Sequence, residues 1–328
     1  MIFNYGETKK EEIVCAICRE RNETILSNRT SNGLHVRTVM CRNCGLIYIN
    51  PRMIRDEYDT YYKYHYRADR KAIKGKEQGG ILESNWQSAV RFGQALGEEL
   101  FPFIRPGLVI DVGSSTGGVL AGISQVVKGT QGLGIEPSLE ESSFARTKGV
   151  ETITGLFEDV QRSIKEKPRT VLCVQSLNHL LDPSGFVSWA YDVLQPEGHI
   201  VLAVKNFLHQ VRRAGRLSAG VQIDHPYMFT PDSLRRLLEV NSFEVVYLDS
   251  DEGKTRAERD RRKADGWSVH HIRIVGKKKK VRKPIHRKLS VLESVTMRVR
   301  FNRHVVRMVY LFKYSKKLGF LRRLLHTE

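Results

Sequence analysis

The sequence predicts an α/β fold in which a mostly parallel sheet, covered by helices, lies between a small metal-held ribbon and a basic helical tail. Three observations predict it. Short apolar runs alternate with helical patterns from residue 107 to residue 205. Two C-x-x-C pairs stand ahead of that stretch, Cys15-Ala16-Ile17-Cys18 and Cys41-Arg42-Asn43-Cys44. Residues 277–328 carry 17 Lys and Arg against two acids, Glu293 and Glu328. The 328-residue chain has a formal charge of +18, so removing the tail's +15 leaves the body at +3. A nearly neutral body excludes a globally basic protein of the histone kind. The composition, 41% hydrophobic and 27% charged, is globular, and no run of about 18 apolar residues occurs that would span a bilayer. The N-terminus, MIFNYGETKKEEIVC, puts charges where a secretion signal needs an apolar run, which points to a cytoplasmic protein.

Residues 1–50 form the first unit. A C-x-x-C turn aims two thiolates at one metal, and two such turns complete a tetrahedral four-sulfur shell. The pairs lie 22 residues apart, and Gly45 follows the second, as a tight knuckle requires. Soft thiolates and tetrahedral geometry favour zinc, with iron as the alternative metal. Two disulfides are the other reading of the same residues, disfavoured in a reducing compartment. Cys15, Cys18, Cys41 and Cys44 fill the shell, so the site is structural and His35 is left to the surface. So small a unit buries little core, and the metal supplies folding energy. The segments LHVRTV and LIYIN read as its strands, and Cys173 in VLCV as a core thiol.

Residues 51–81 read as a Tyr- and Arg-rich connector, partly helical, whose YDTYYKYHYR stretch either packs between the flanking units or walls a ligand site. Residues 82–276 hold the sheet. Leu82, Trp86, Val90, Leu96, Leu100 and Ile104 recur at helical spacing, and Pro102 and Pro106 bound that helix. LVIDV is a short, continuously apolar strand that leads through a Gly/Ser-rich turn into the helix VLAGISQVV. The strands QGLGIEP, VETITG, TVLCVQS and HIVLAVKN then alternate with helices across SLEESSFARTKG and PSGFVSWAYDVLQ, the pattern of βαβ units. Residues 206–223 read as a lid or substrate wall whose Arg212, Arg213 and Arg216 suit phosphates. A helix starts at Pro231. FEVVYLDS and WSVHHIRIVGK follow as a strand pair joined by a charged, solvated loop.

The Gly/Ser-rich turn Gly113-Ser114-Ser115-Thr116-Gly117-Gly118 lets a ligand approach the backbone, and the helix N-terminus after it favours an anion. Glu136 ends the next strand, about 20 residues on, where an acid can accept hydrogen bonds from both ribose hydroxyls. A dinucleotide-binding domain would share both features.

In order and spacing, VIDVGSSTGG, GIEPS, TGLFEDV, QSLNHLLDP, VLQPEGHIVLAVKN and DHPYMFTPDSLRRLLEVNSFEVV resemble class I S-adenosylmethionine-dependent methyltransferases over residues 82–276. The resemblance implies a Rossmann-like, mostly parallel seven-stranded sheet with an added antiparallel strand. The ribbon ending CRNCGLIYINPR, followed by the Tyr-rich stretch, is similar to a zinc-ribbon subgroup associated with sugar and polysaccharide biosynthesis. By the same resemblance Asp111, Gly113, Ser115 and Gly117 lie in the motif that holds the methionine end of the cofactor. Glu136 takes the ribose, Phe157 stacks on adenine, and Glu158 lies near its exocyclic amine. Gln175 faces the sulfonium side. His179 is the His of the E-H-x-x-D-P pattern, here Asn178-His179-Leu180-Leu181-Asp182-Pro183. Three departures stand out: Ser115 for the usual glycine, Asn178 for the usual Glu, and Arg169-Thr170 where an Asp usually opens the fourth strand. They keep open a module that binds cofactor without catalysis.

Methyl transfer from a sulfonium is an in-line displacement, so alignment carries most of the rate, and a neutral acceptor also needs a base. His179 and His225 are the candidates, each in a loop expected above the cofactor, with Asp224 orienting His225 or capping a turn. His209, His270 and His271 are secondary. In the tail, Leu292, Val295, Val299, Val306 and Val309 recur at helical spacing among Arg298, Arg303, Arg307, Lys316, Lys317, Arg322 and Arg323, with Phe301, Tyr310, Phe312 and Phe320 adding bulk. Such a helix suits an anionic membrane surface; the alternative is docking on the catalytic domain or on a second copy. Two functions follow. One is methylation of a sugar, sugar nucleotide or lipid-linked glycan at the cytoplasmic membrane face. The other is methylation of RNA whose phosphates meet the ribbon and tail. The tail's large apolar residues favour the first. A chain ending near Gly276 is expected to keep cofactor binding.

Overall fold

The computed structural model describes residues 3–65, 78–250, 256–264 and 271–313. The ribbon contains β1 (Lys10–Glu11), β2 (Glu23–Arg29), β3 (His35–Cys41), β4 (Ile47–Ile49) and β5 (Arg52–Met53). Helices α1 (Arg55–Tyr64) and α2 (Gln78–Glu99) follow. The alternating region then runs β6 (Gly107–Val112), α3 (Gly118–Val126), β7 (Thr130–Glu136), α4 (Leu139–Thr147), β8 (Glu151–Thr154) and α5 (Phe157–Val160). It continues with β9 (Thr170–Val174), α6 (Pro183–Val193), β10 (His199–Lys205), α7 (Phe207–Ala214), β11 (Tyr227–Met228) and α8 (Pro231–Val240). The last elements are β12 (Phe243–Ser250), α9 (Arg256–Ala264), β13 (His271–Lys278), α10 (Val291–Arg300) and α11 (Arg303–Lys313).

Seven strands form the main sheet in the order β12-β13-β10-β9-β6-β7-β8. Strands β6 to β10 pair in parallel, and β13 runs antiparallel to both β10 and β12. This is the mostly parallel seven-stranded sheet the sequence predicts. Residues alternate across it as the two-residue period of a strand demands. Val109, Leu172, Val201 and Val275 pack with Phe92 and Leu96 of α2 and with Leu120 and Ile123 of α3. Ile110, Val171, Ile200 and Ile274 pack on the other face with Phe186 of α6 and Leu237 of α8. Helices α2 and α3 meet backbone to backbone, since a Cβ on Gly122 would lie 2.2 Å from the carbonyl oxygen of Val90.

A second, four-stranded sheet runs β11-β4-β3-β2. Its fourth strand comes from far along the chain, with Tyr227 opposite Tyr48 and Met228 opposite Ile47. The ribbon is therefore closed by the methyltransferase-like region. Strand β1 pairs with β5 beside it.

Three expectations change. The charged stretch before β13 carries helix α9 rather than a loop. Its Arg262 joins Glu99 and Asp249, the two acids that also hold the fully buried Arg273. The 206–223 insertion is not a lid. Phe207, Leu208, Val211, Val221 and Ile223 are buried in a core shared with the ribbon and with Tyr58 and Tyr61 of α1. The tail, over its described part, is not a detachable appendage. Lys277 and Lys278 belong to β13. Met297, Phe301 and Val306 are buried in that same core, Phe301 stacks on Phe207 at 5.9 Å, and the Leu289 N–H donates to the Asn43 carbonyl at 2.7 Å. Residues 66–77 of the connector, His270, and the tail's Lys316, Lys317, Phe320, Arg322 and Arg323 lie outside the described residues.

Truncating a buried aromatic removes its packing and leaves a cavity. Phe301→Ala should lower stability by about 3–5 kcal/mol in denaturant unfolding. A loss within about 0.5 kcal/mol, the range of ordinary surface substitutions, would mean that α10 does not dock.

Candidate functional site

The carboxyl ends of β6, β7 and β9 converge, which is where open α/β sheets bind ligands. Strand β6 ends in Asp111 and Val112 and turns through Gly113–Gly117 into α3. Gly113 has φ +76°, and a Cβ there would meet Ser176 Oγ at 2.3 Å. Ser115 sits at φ +50°, a left-handed conformation that costs a non-glycine residue about 1–2 kcal/mol. Its N–H donates to Glu136 Oε2 at 2.8 Å, and the Ser138 N–H donates to Glu136 Oε1 at 2.8 Å. Glu136 thus ties the motif turn to the end of β7, so Ser in place of glycine is held in its strained form.

Asp111 is fully buried, and its Oδ1 has no hydrogen-bond partner among the described residues. Burial pushes its carboxyl up to about 8; the backbone N–H of Val174 opposes this and the charge of Glu136 adds to it. The orphaned Asp111 oxygen is an unused hydrogen-bond acceptor, which a ligand carrying an ammonium group, such as S-adenosylmethionine, fits. Its carboxylate fits the N-terminus of α3. Gln175 lies exposed at the tip of β9 with φ +59°. Glu158 is half-buried, and burial raises its carboxyl. Phe157 is not brought out to present a face for stacking. It is buried in the core with its ring edge-on to Phe186 at 5.3 Å and Trp189 at 4.8 Å.

Ser176 Oγ donates to the Gly113 carbonyl at 3.0 Å, which links the motif turn to the 3₁₀ turn Leu177–His179. There the structure brings both candidate histidines together. The His179 and His225 rings lie edge to face, 4.6 Å between centroids. Asp224 Oδ2 is 3.9 Å from His225 Nε2, too long for a hydrogen bond. Asp224 and His225 are buried. The residue the sequence reading did not single out is Tyr62 of α1. Its Oη donates to the Asp224 carbonyl at 3.0 Å and lies 2.8 Å from His179 Nδ1. Tyr62 has one hydroxyl proton, so the hydrogen bond with His179 is donated by Nδ1–H and Nε2 becomes the basic nitrogen. Of the two readings of the Tyr-rich connector, packing between units or a ligand wall, Tyr58 and Tyr61 follow the first, buried in the core, while Tyr62 reaches the histidines. His209 and His271 are buried in other surroundings, His271 beside Phe92.

Two local features hold this cluster. The Asn178 side-chain amide donates to the Tyr227 carbonyl at 3.0 Å. An ionised Glu, usual at that position, has no proton to donate, so the departure serves the pairing of β11. Arg52 donates to the Leu181 carbonyl at 2.7 Å and to Tyr227 Oη at 3.2 Å.

The sulfurs of Cys15, Cys18, Cys41 and Cys44 all lie within 4.8 Å of one another. Cys15 Sγ is 3.3 Å from Cys44 Sγ, and Cys18 Sγ is 3.5 Å from Cys41 Sγ. A tetrahedral zinc with Zn–S near 2.3 Å requires sulfurs about 3.8 Å apart, so the four residues fit that ion.

Residues 87–248 match the family model described as a methyltransferase domain. The chain is 28% identical over 145 residues to the ubiquinone biosynthesis O-methyltransferase of Aliivibrio fischeri, spanning 40% of this chain and 61% of that protein. It is 31% identical over 104 residues to the protein of the same description from Yersinia enterocolitica, spanning 30% of this chain and 42% of that one. The chain thus spans about three fifths or less of the curated relatives' length. One similar solved structure is a complex between the Haloferax volcanii Trm112 methyltransferase activator and a methyltransferase. The likeness has TM-score 0.48 and 18% identity, over 69% of this chain and 99% of that one. Another is the plantazolicin methyltransferase, at TM-score 0.49 and 13% identity over 68% and 95%.

Two predictions follow from the geometry. Between its ordinary 3.8 and about 8, Asp111 keeps a proton in the folded chain that the unfolded chain has released. Stability therefore falls as pH rises through that window. Without cofactor, Asp111→Asn should melt progressively above wild type from pH 4 to pH 8; a constant offset across that range would remove the buried-carboxyl assignment. Cys41→Ser should lower bound zinc per chain and speed amide exchange at Tyr48 and Tyr227 together. Full zinc content with unchanged exchange would separate the cluster from the site.

Proposed function

We propose that this chain, whose residues 87–248 are a class I S-adenosylmethionine-dependent methyltransferase domain, methylates a sugar, sugar nucleotide or lipid-linked glycan at the cytoplasmic face of a membrane. When bound, S-adenosylmethionine supplies an electrophilic methyl group. Asp111, Gly113, Ser115 and Gly117 hold its methionine end. Glu136 holds the ribose, its carboxylate fixed at the end of β7 by the amides of Ser115 and Ser138. Glu158 lies at the adenine side and Gln175 at the sulfonium side. Zinc in the four-cysteine cluster is structural.

The observation that carries the reading is the meeting of His179, His225 and Tyr62 beside the carboxyl end of β9. A sugar hydroxyl must lose its proton as it is methylated. His179 Nε2 accepts that proton, Tyr62 holds the ring in the required tautomer, and His225 lines the acceptor side. The basic run favours RNA less than its charge suggests. Lys277 pairs with Glu197, Arg282 with Asp192, Lys288 with Glu20 and Arg300 with Asp232.

The test is methyl transfer from labelled cofactor to fractionated lipid, sugar-nucleotide and RNA extracts, with variants of the pair. His179→Ala should lower turnover about 10²–10⁴-fold with cofactor affinity within twofold of wild type. Wild-type turnover in both His179→Ala and His225→Ala would remove the base assignment, and label appearing in RNA alone would replace the acceptor class.

A further inference from the structure

Helices α10 and α11 have two apolar sides. The inner side is accounted for by Met297, Phe301 and Val306, buried against the ribbon and α7. The outer side is not. Val291 is 84% exposed, Leu292 76%, and Val295 and Val299 51% each, with Met308 of α11 at 49%. Val291, Val295 and Val299 stand at i, i+4 and i+8, so they line one ridge with Leu292 beside it. A helix on the surface of a globular protein places polar residues there. Ser290 and Glu293 form a full capping box at its start, so the stripe is presented on a well-formed helix.

The acid of α10, Glu293, is taken up by Arg236 and Arg287, and the charges that follow it along the stripe are basic. Arg298, Arg303 and Arg307 are exposed at its margin, and residues 294–313 contain no Asp or Glu. The composition continues beyond residue 313 with Lys316, Lys317, Arg322 and Arg323 among leucines. A second copy of this chain docked face to face would bring arginines against arginines, with Glu293 already engaged by Arg236 and Arg287. RNA would satisfy the arginines and leave four branched aliphatic side chains against a polar backbone. A bilayer with anionic headgroups satisfies both, taking the aliphatic ridge into the acyl boundary and the guanidinium groups at the phosphates.

We propose that the outer face of α10, with the first turns of α11, is a docking face for an anionic lipid bilayer. The face is rigidly joined to the body, because the opposite side of the same helices is buried in the core that holds Tyr58, Tyr61 and Phe207. It deepens the location given under the proposed function, and rests on that reading only for its purpose, which is to bring the site to a membrane-linked acceptor. The docking itself does not depend on the transfer chemistry.

The experiment is sedimentation of the full chain with vesicles of phosphatidylcholine alone and with 30% phosphatidylglycerol, a composition of roughly physiological surface charge, at physiological salt. Wild type should bind the anionic vesicles at least about tenfold more strongly than the neutral ones, as expected from several basic residues acting together. Val295→Glu/Val299→Glu places acids at exposed positions and should lose at least about tenfold of that binding. Arg298→Glu/Arg303→Glu should lose the preference for anionic lipid. Calorimetry with S-adenosylmethionine checks that each variant keeps its fold. Equal binding by wild type and Val295→Glu/Val299→Glu overturns the proposal. So does equal binding of wild type to both vesicle types, or loss in the variant of self-association or RNA binding in place of vesicle binding. Methyl transfer to water-soluble acceptors, run in parallel, separates the outcomes. Vesicle binding with no transfer to these acceptors or to the lipid extract sinks the functional reading alone, and transfer without vesicle binding sinks the docking face alone.

Discussion

Two residues of strand hold this protein together. Tyr227 and Met228 close the open edge of the ribbon sheet by pairing with Tyr48 and Ile47. A buried sheet edge needs partners for its backbone N–H and carbonyl groups, so this pairing is obligatory once the ribbon packs against the domain. It has a second effect. Asp224 and His225 directly precede the strand, and the Ile49 N–H donates to the Pro226 carbonyl at 2.9 Å. The register of the ribbon sheet thus sets where a candidate catalytic histidine stands. Asn178 and Arg52 brace the same junction from the other side, through the Tyr227 carbonyl and hydroxyl.

The opposite wall of the site is built on unfavourable electrostatics. Asp111 is buried without a full set of partners, and Ser115 is kept at positive φ by the same Glu136 that raises the Asp111 carboxyl. Strain and unsatisfied buried polar atoms of this kind persist where the surrounding fold over-determines them, and they cluster where a ligand completes the site. The Ser176 hydroxyl, bonded to the Gly113 carbonyl, joins this wall to the turn that carries His179. The glycine-rich turn and the histidine cluster are therefore joined by hydrogen bonds.

Some elements were legible because their chemistry is local. The parallel strands are buried on both faces and so read as continuous apolar runs. The cysteine pairs announce a shared ligand by spacing alone. Others depended on long-range partners. The α9 helix follows from recruitment of Arg262 to the acids that hold Arg273. The insertion at 206–223 reads as a lid or substrate wall from its place in the chain, whereas its buried Phe207, Leu208 and Val211 decide where it lies. Phe157 has the position of an adenine-stacking residue in the sequence pattern, yet Phe186 and Trp189 of α6 hold it edge-on in the core.

The sequence by itself determined the parallel sheet, the strand-to-helix turn with its acid at the next strand, the four-cysteine cluster and the separation of charge between body and tail. Each is a matter of residue type and short spacing, which local geometry converts directly into structure. Only the tertiary structure decided that the ribbon borrows a strand from the domain, that Tyr62 reaches His179 across a long stretch of chain, and that the tail's helices bury one side and expose the other. Those outcomes depend on which surfaces meet. That is fixed by the burial of apolar side chains and the pairing of backbone groups between distant segments, and no window along the chain contains both partners.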